Sequence, residues 1–368
     1  RLMNYITYYL GAGASVHALP LYNDFQLRLE IFRDFIYHYQ LEKDKEFKKK
    51  AAVYLNSLDT LIKKLNATET TTLDVLASEL YEQRFISADF SFNKLKYLIS
   101  DFFVFEQLEK SFPVYKKQVF DSESIEGYKT YSIANRDKVN TSIDNRYRAF
   151  INSEIKNGKF PSHINIISWN YDLQVELAYS RMIQGVSLYL SQRELQIFPS
   201  PEIFSEVDNT KSRIIKLNGT AGVFYTDNER KKLENFIDGR TSFDYSYIDF
   251  MIEIFSNNYH RIFGGYPFFT FSFEKDGRNK TNEAIAHAEE ILKNTDILII
   301  LGYSFHPANR EIDTKVFERS TKLKKVYIQT PTDTDFRKIK FNFSKIKPSF
   351  ENIEHYEFVN EFLASNNV

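Results

Sequence analysis

Four short apolar runs, each stopping at a small or polar motif, constrain this chain more than any other feature. Tyr5-Ile6-Thr7-Tyr8-Tyr9-Leu10 runs into Gly11-Ala12-Gly13-Ala14-Ser15, and His163 to Trp169 stops at Asn170-Tyr171-Asp172. Arg213 to Leu217 stops at Asn218-Gly219-Thr220, and Asp296 to Leu301 stops at Gly302-Tyr303-Ser304-Phe305. Predominantly apolar runs of this length suit strands covered on both faces, and segments of helical periodicity lie between them. The implied fold class is α/β: a doubly wound, Rossmann-like parallel sheet with a large helical insertion. In such a sheet the carboxyl ends of the strands line the ligand crevice, which is where the small and polar motifs fall.

The expected organisation follows from the spacing of the runs. Residues 3–24 and 160–368 form the nucleotide-binding core, residues 25–159 a helical cap, and about 228–262 a second helical stretch. Phe25, Leu29, Phe32, Ile36 and Tyr39 mark one buried helical stripe, and Leu95, Leu98, Phe102, Phe105 and Leu108 another. Thr72 is placed to cap a helix carrying Leu73, Leu76 and Leu80. Tyr147, Ile151 and Ile155 share a face of a further helix. Residues 113–140 show little periodicity. Lys325 to Gln329 reads as another strand, Phe268 to Phe273 as an aromatic one, and Phe358 to Leu363 as a closing helix.

Composition narrows the function. The 368 residues hold 48 basic and 49 acidic side chains, a net charge of −1, so charge does not indicate nucleic acid as the main partner. There are no cysteines, which excludes disulfides, cysteine nucleophiles and cysteine-ligated zinc. With 24 Tyr and 34 Phe, much of the core volume must be aromatic. No apolar run approaches the roughly 20 residues that span a bilayer, and no signal peptide is visible, so a cytoplasmic, non-membrane protein is expected. Arg1 and Leu2, ahead of Met3, carry no expected role.

The opening turn suits a phosphate. Two glycines one residue apart let backbone approach a diphosphate without a Cβ in the way, and free N–H groups of such a turn attract an anion. Read alone, it is also an ordinary turn between strand and helix. Its recurrence with the other strand-end motifs is what gives it weight.

Taken together, the motifs resemble those of the sirtuin-like family. Gly11-Ala12-Gly13-Ala14-Ser15 is similar to its opening phosphate loop. Leu19-Pro20 with Asp24-Phe25 resembles its Pro-Asp-Phe cofactor-loop segment, with extra residues between. Asn170-Tyr171-Asp172 resembles its Asn-x-Asp motif, Lys216-Leu217-Asn218-Gly219 its Lys-Leu-His-Gly, and Gly302-Tyr303-Ser304 its Gly-x-Ser loop. The resemblance implies NAD as substrate. Nicotinamide leaves the ribose through an oxocarbenium-like transition state, and a nucleophile captures the sugar. It implies that Asn170 orients ribose and water, that Asp172 supports developing charge, and that Gly11, Ala12, Gly13, Ser15, Gly302 and Ser304 hold the diphosphate and adjacent ribose. Asp24 and Phe25 complete the cofactor site, and Gln329 with Thr330 faces the adenosine half. Asp172 has an equally good local reading as a helix cap before Leu173, and Trp169 is either a wall of the nicotinamide pocket or a core residue.

Two departures from the family pattern matter. The four-cysteine zinc module of the protein-deacylating members cannot exist here. A large helical cap without zinc resembles instead the bacterial sirtuin-like effectors of antiphage defence, which destroy NAD. The second departure is Asn218, which stands where the family has its catalytic histidine. An amide is no general base near neutral pH, and such help is worth about 10²–10⁴-fold. Three readings of Asn218 stay open: an inactivating substitution, a natural cofactor-binding subunit without catalysis, or hydrolysis surviving on positioning and charge. His17 and His306, each just past a glycine loop, are the candidate substitute bases, set against a reading as surface loop. His163 begins a strand, at the end away from the crevice.

The expectation is therefore a nicotinamide-releasing NAD+ hydrolase acting in antiphage defence by NAD depletion, as a homo-oligomer or with a defence partner protein. The alternative is a non-catalytic NAD or ADP-ribose sensor or structural subunit.

Overall fold

The computed structural model describes residues 4–20, 22–67, 72–84, 90–107, 109–110, 143–199, 207–225, 233–235, 242–243, 245–256, 266–274, 279–348 and 350–368. They form two compact units. The first comprises Arg1–Val16, Ile143–Thr220 and Ser272–Val368; the second comprises His17–Ser142 and Ala221–Phe271. Residues 143–159, expected with the insertion, lie in the first unit.

The first unit is built on seven strands: β1 (Ile6–Leu10), β2 (Ile164–Ser168), β3 (Ile197–Phe198), β4 (Ile214–Lys216), β5 (Ile297–Leu301), β6 (Lys325–Gln329) and β7 (Ile353–Tyr356). Their order is β7-β6-β5-β1-β2-β4-β3, and every neighbouring pair is parallel. This is the doubly wound α/β sheet that the apolar runs predict. β1 is central, with β2 on one side and β5 on the other, so the winding reverses beside it. Its five residues are all buried. Tyr9 turns to the face covered by the helices Asn279–Asn294, Arg310–Phe317 and Asp333–Ser344, in one cluster with Ile167, Leu298, Ile300, Val326 and Ile328. Tyr8 turns to the opposite face, where its ring meets Phe150 of the helix Asn145–Glu154 at 4.7 Å. Period-2 alternation thus fills both faces with aromatic and branched side chains.

The second unit holds the helices Tyr22–Gln40, Lys45–Leu65, Leu73–Glu82, Phe92–Gln107 and Tyr245–Ser256. The anticipated stripe forms its centre: Phe32 packs against Phe102 and Phe105, and Phe25 edge-on against Phe102 at 5.2 Å. Thr72 caps its helix as expected, accepting from the Val75 amide. Arg28 and Glu106 form an ion pair buried on both sides. Such a pair favours one arrangement, because either charge alone in this apolar interior would be costly.

Three expectations need correction. Residues 358–363 form no helix: they run as an irregular strap after β7, held by Gln329, while Phe362 and Leu363 bury on the first unit. A local apolar count cannot distinguish a helical face from a strap anchored elsewhere. Among the described residues of the stretch 228–262, Tyr245–Ser256 is helical, whereas Leu233–Asn235 is a strand paired with Gly219–Tyr225. The strands β3 and β7 carried too few apolar residues to be recognised. The segment 113–140 and Leu108 lie outside the described residues.

Strands β1 and β5 end in loops that touch backbone to backbone. The Gly13 amide bonds the Gly302 carbonyl at 3.1 Å, and a Cβ on Gly302, which has φ +60°, would lie 2.2 Å from the Ala14 nitrogen. Replacing Gly302 by alanine combines a left-handed backbone with a clash against main chain, and should cost roughly 2–4 kcal/mol. Thermal or denaturant unfolding of Gly302→Ala measures this, and a change within about 0.5 kcal/mol would contradict the contact.

Candidate functional site

The strand-end motifs of the first unit come together at the carboxyl ends of β1, β2, β4 and β5. The Gly11–Ser15 loop follows β1 as a single 3-10 turn, Ala12–Ser15. Its amides at Gly11, Gly13 and Ala14 bond the carbonyls of Leu301, Gly302 and Gly11. The two loop glycines therefore serve the approach of the Gly302 loop first. Ala12 and Gly302 are exposed at these strand ends.

Behind the loop lies a buried polar network. The Ser15 hydroxyl donates to Asp172 Oδ2 at 2.5 Å, and so accepts from the Tyr147 hydroxyl at 3.1 Å and from Asn170 Nδ2 at 3.4 Å. Asn170 Nδ2 also donates to the Gly11 carbonyl at 2.9 Å. Arg146, itself paired with Asp144, donates to the carbonyls of Gly13 and Ala14 at 3.2 and 3.0 Å. Side chains thus hold three loop carbonyls from behind. These bonds fix the orientation of the loop's peptide units.

Asp172 is buried, and its carboxylate ties the start of the following helix to the loop after β1. Its Oδ1 accepts from the Gln174 amide at 3.2 Å, opening the helix Gln174–Met182, while Oδ2 grips Ser15. Burial raises its pKa; Lys216 and the Ser15 hydroxyl oppose the rise. Lys216, 2 % exposed, donates to the Asp172 carbonyl and pairs with the buried Glu176 carboxylate. Burial likewise pushes Glu176 upward, against the pull of Lys216. Two residues on, Asn218 is buried and its Nδ2 donates to the Trp169 carbonyl at 3.1 Å. It fastens the turn after β4 to the turn after β2.

On the other face of the sheet a second carboxylate sits at the same strand ends. Asp313, fully buried, accepts from the Tyr9 hydroxyl at 2.6 Å, the Tyr303 hydroxyl at 2.7 Å and Trp169 Nε1 at 3.2 Å. Burial raises its pKa to about 7, although all three donors pull it down. The Trp169 and Tyr303 rings stack nearly parallel, 5.8 Å apart. Phe305 adopts φ +53°, a strained conformation for a bulky side chain, with its ring fixed between Tyr9, Tyr303, Phe317 and Phe343. Asn342 Nδ2 holds the Ser304 carbonyl at 2.8 Å, while Ser304 itself is exposed.

The remaining expected residues are placed differently. Asp24 and Phe25 belong to the second unit, in the first turn of the helix Tyr22–Gln40, where Phe25 is core. The Gln329 side chain is engaged with the C-terminal strap, donating to the Phe358 and Glu361 carbonyls and accepting from the Leu363 amide. His17 is exposed and belongs to the second unit, and His306 is exposed, accepting from the Ala308 amide as a cap. Among the described residues, no group of three or more His, Asp or Glu is arranged to hold a metal ion.

Sequence reasoning missed Arg146, Tyr147, Glu176 and Asp313. A lysine inside the apolar run Ile214-Ile215-Lys216-Leu217 does signal a buried counter-ion. Asp313 gives no such signal, since its helix begins Arg310-Glu311-Ile312-Asp313 like any solvated one.

Two measurements check these electrostatics. Lys216→Met leaves Glu176 without its partner and should cost about 3–5 kcal/mol, part of it recovered by adding Glu176→Gln; unfolding free energies decide. The groups facing Asp313 are Tyr9 from β1, Tyr303 after β5 and Trp169 after β2. With its folded pKa raised from 3.8 to about 7, its contribution is fully present below 3.8 and lost as pH rises through about 7. The Tm of the protein should therefore fall more between pH 5 and pH 8 than that of Asp313→Asn.

Comparison with known proteins adds a likeness of structure. No protein-family model matches the chain, and no curated protein matches it significantly. Among solved structures, it is similar to a Sir2 variant with a deacetylated p53 peptide and 3'-O-acetyl ADP ribose, at 15% identity and a TM-score of 0.28, over 69% of this chain and 83% of that one. The architecture of the present chain rests on its own strand order and pairing.

Proposed function

We propose that the first unit is a sirtuin-like NAD-binding module whose crevice takes the dinucleotide at the ends of β1, β2 and β5. The observation that carries this reading is the meeting of the Gly11–Ser15 loop, Asn170 and the Gly302 loop at the point where the winding of the sheet reverses. A diphosphate there would lie against exposed Ala12 and Gly302, where main chain is approachable. Asn170, half-buried and fixed to Gly11 and Ser15, would present its carbonyl oxygen to a ribose hydroxyl or water.

The chemistry such a site supports is nicotinamide release, giving ADP-ribose. Asn170 would position the sugar, and Asp172, one hydroxyl away through Ser15, would steady positive charge on it. Asn218 supplies no base, so turnover would be slow in this form. The biological reading that fits is a defence effector acting by NAD depletion. The alternative, an NAD or ADP-ribose sensor, is favoured specifically by the Asn218 amide, which is spent on the Trp169 carbonyl.

Calorimetry with NAD+ and ADP-ribose, followed by chromatography of NAD+ incubations, tests the proposal. Binding is expected for this chain, with nicotinamide release rising by about 10²-fold or more in Asn218→His. Binding without turnover in both forms would leave the sensor reading. Absence of binding by both forms would remove the NAD reading altogether.

A further inference from the structure

The Asp313 cluster is not used by the proposed chemistry, yet it joins three of the strand ends that shape the crevice. Its carboxylate accepts hydrogen bonds from the hydroxyls of Tyr9 in β1 and Tyr303 in the loop after β5, and from the indole N–H of Trp169 in the turn after β2. Trp169 Nε1 also reaches the Tyr9 hydroxyl at 3.0 Å, and Asn309 Nδ2 donates to the Tyr303 hydroxyl at 3.1 Å. Two of the three tethered residues adjoin ones named for the site: Trp169 precedes Asn170, and Tyr303 lies between Gly302 and Ser304. The Trp169 carbonyl, in turn, receives the Asn218 amide. An ionised carboxylate, with about four lone-pair sites on two oxygens, accepts more such bonds at once than an amide or a hydroxyl, and a buried one is costly unless its donors are in place.

We propose that Asp313 is the positioning residue of the crevice, a buried acceptor that fixes the Trp169–Asn170 turn and the Gly302–Phe305 loop relative to one another. It acts from beneath the sheet and through other residues, without touching a ligand. The proposal rests on the NAD reading only for its ligand-binding consequence; the coupling of the two turns is independent of any ligand. An apolar or amide side chain at 313 leaves two phenols and an indole competing for fewer acceptors, and the two turns lose their common reference.

The chain reports on this itself, because Trp169 is its one tryptophan. In Asp313→Asn, intrinsic emission and acrylamide quenching of Trp169 should change, and hydrogen exchange should accelerate over 168–172 and 301–306 while β6 stays protected. ADP-ribose binding should weaken by about tenfold or more, the scale of one lost hydrogen bond to a charged group. Tyr303→Phe, which keeps the ring and removes one tether, should show the same spectral and exchange changes in smaller measure, and serves if Asp313→Asn does not fold. Unchanged Trp169 emission and unchanged exchange in a folded variant would overturn the proposal. So would altered emission with unaltered ADP-ribose affinity. If the parent chain itself binds no ADP-ribose, the NAD reading falls, and the positioning claim is decided by emission and exchange alone.

Discussion

The first unit depends on the absence of three Cβ atoms. Gly11, Gly13 and Gly302 bring the loops after β1 and β5 into direct main-chain contact; a Cβ on Gly11 would stand 2.5 Å from the Gly302 carbonyl oxygen, and one on Gly13 2.9 Å from the Gly302 Cα. Hydrogen bonds from Gly11 to Leu301 and from Gly13 to Gly302 extend the β1–β5 ladder beyond the strands themselves. The glycines expected to form a phosphate loop thus form a joint in the sheet. The joint leaves Ala12 and Gly302 exposed.

Around that joint, buried polar side chains do what apolar packing cannot, which is to set direction. Asp172, Asn170 and Arg146 hold the first loop by its Ser15 hydroxyl and its carbonyls, and Lys216 holds the Asp172 carbonyl. Most of the acceptors are buried, so leaving any of them unpaired would cost about 1–3 kcal/mol. The aromatic content finds a use here as well. Tyr9, Tyr303 and Trp169 fill core volume with their rings and still carry a donor at the tip, so that a buried carboxylate can be satisfied inside an apolar layer.

The fold was legible where strands were apolar throughout, since β1, β2 and β5 sit between helical layers and need no polar face. It was illegible where structure depends on a distant partner. β7 has Ile353 and Tyr356 among charged neighbours, and the strap that follows is shaped by Gln329, some thirty residues earlier. The crevice was legible in the same way. Gly11, Asn170 and Gly302 announce themselves by following apolar runs, whereas Tyr147 and Asp313 come from surface-like helices and acquire meaning only when the chain has folded over them. Asp24 and Phe25 show the converse, a motif-like pair whose aromatic member is committed to another core.

The central place of β1 has a consequence for how this chain comes into being. Its first strand pairs with Ile297 to Leu301, and the Tyr5 amide with Asp296, across 291 residues. At typical ribosomal rates of about 5–20 residues per second, the strand that seeds the sheet waits roughly 15–60 s for its partner. Until then an apolar segment rich in tyrosine has no partner on that side. Contacts of such sequence separation slow folding, because closure entropy is lost before the pairing rewards it. The loop after β1, though among the first residues made, can take its final form only late, and the glycine joint doubles as a record that synthesis has passed residue 302.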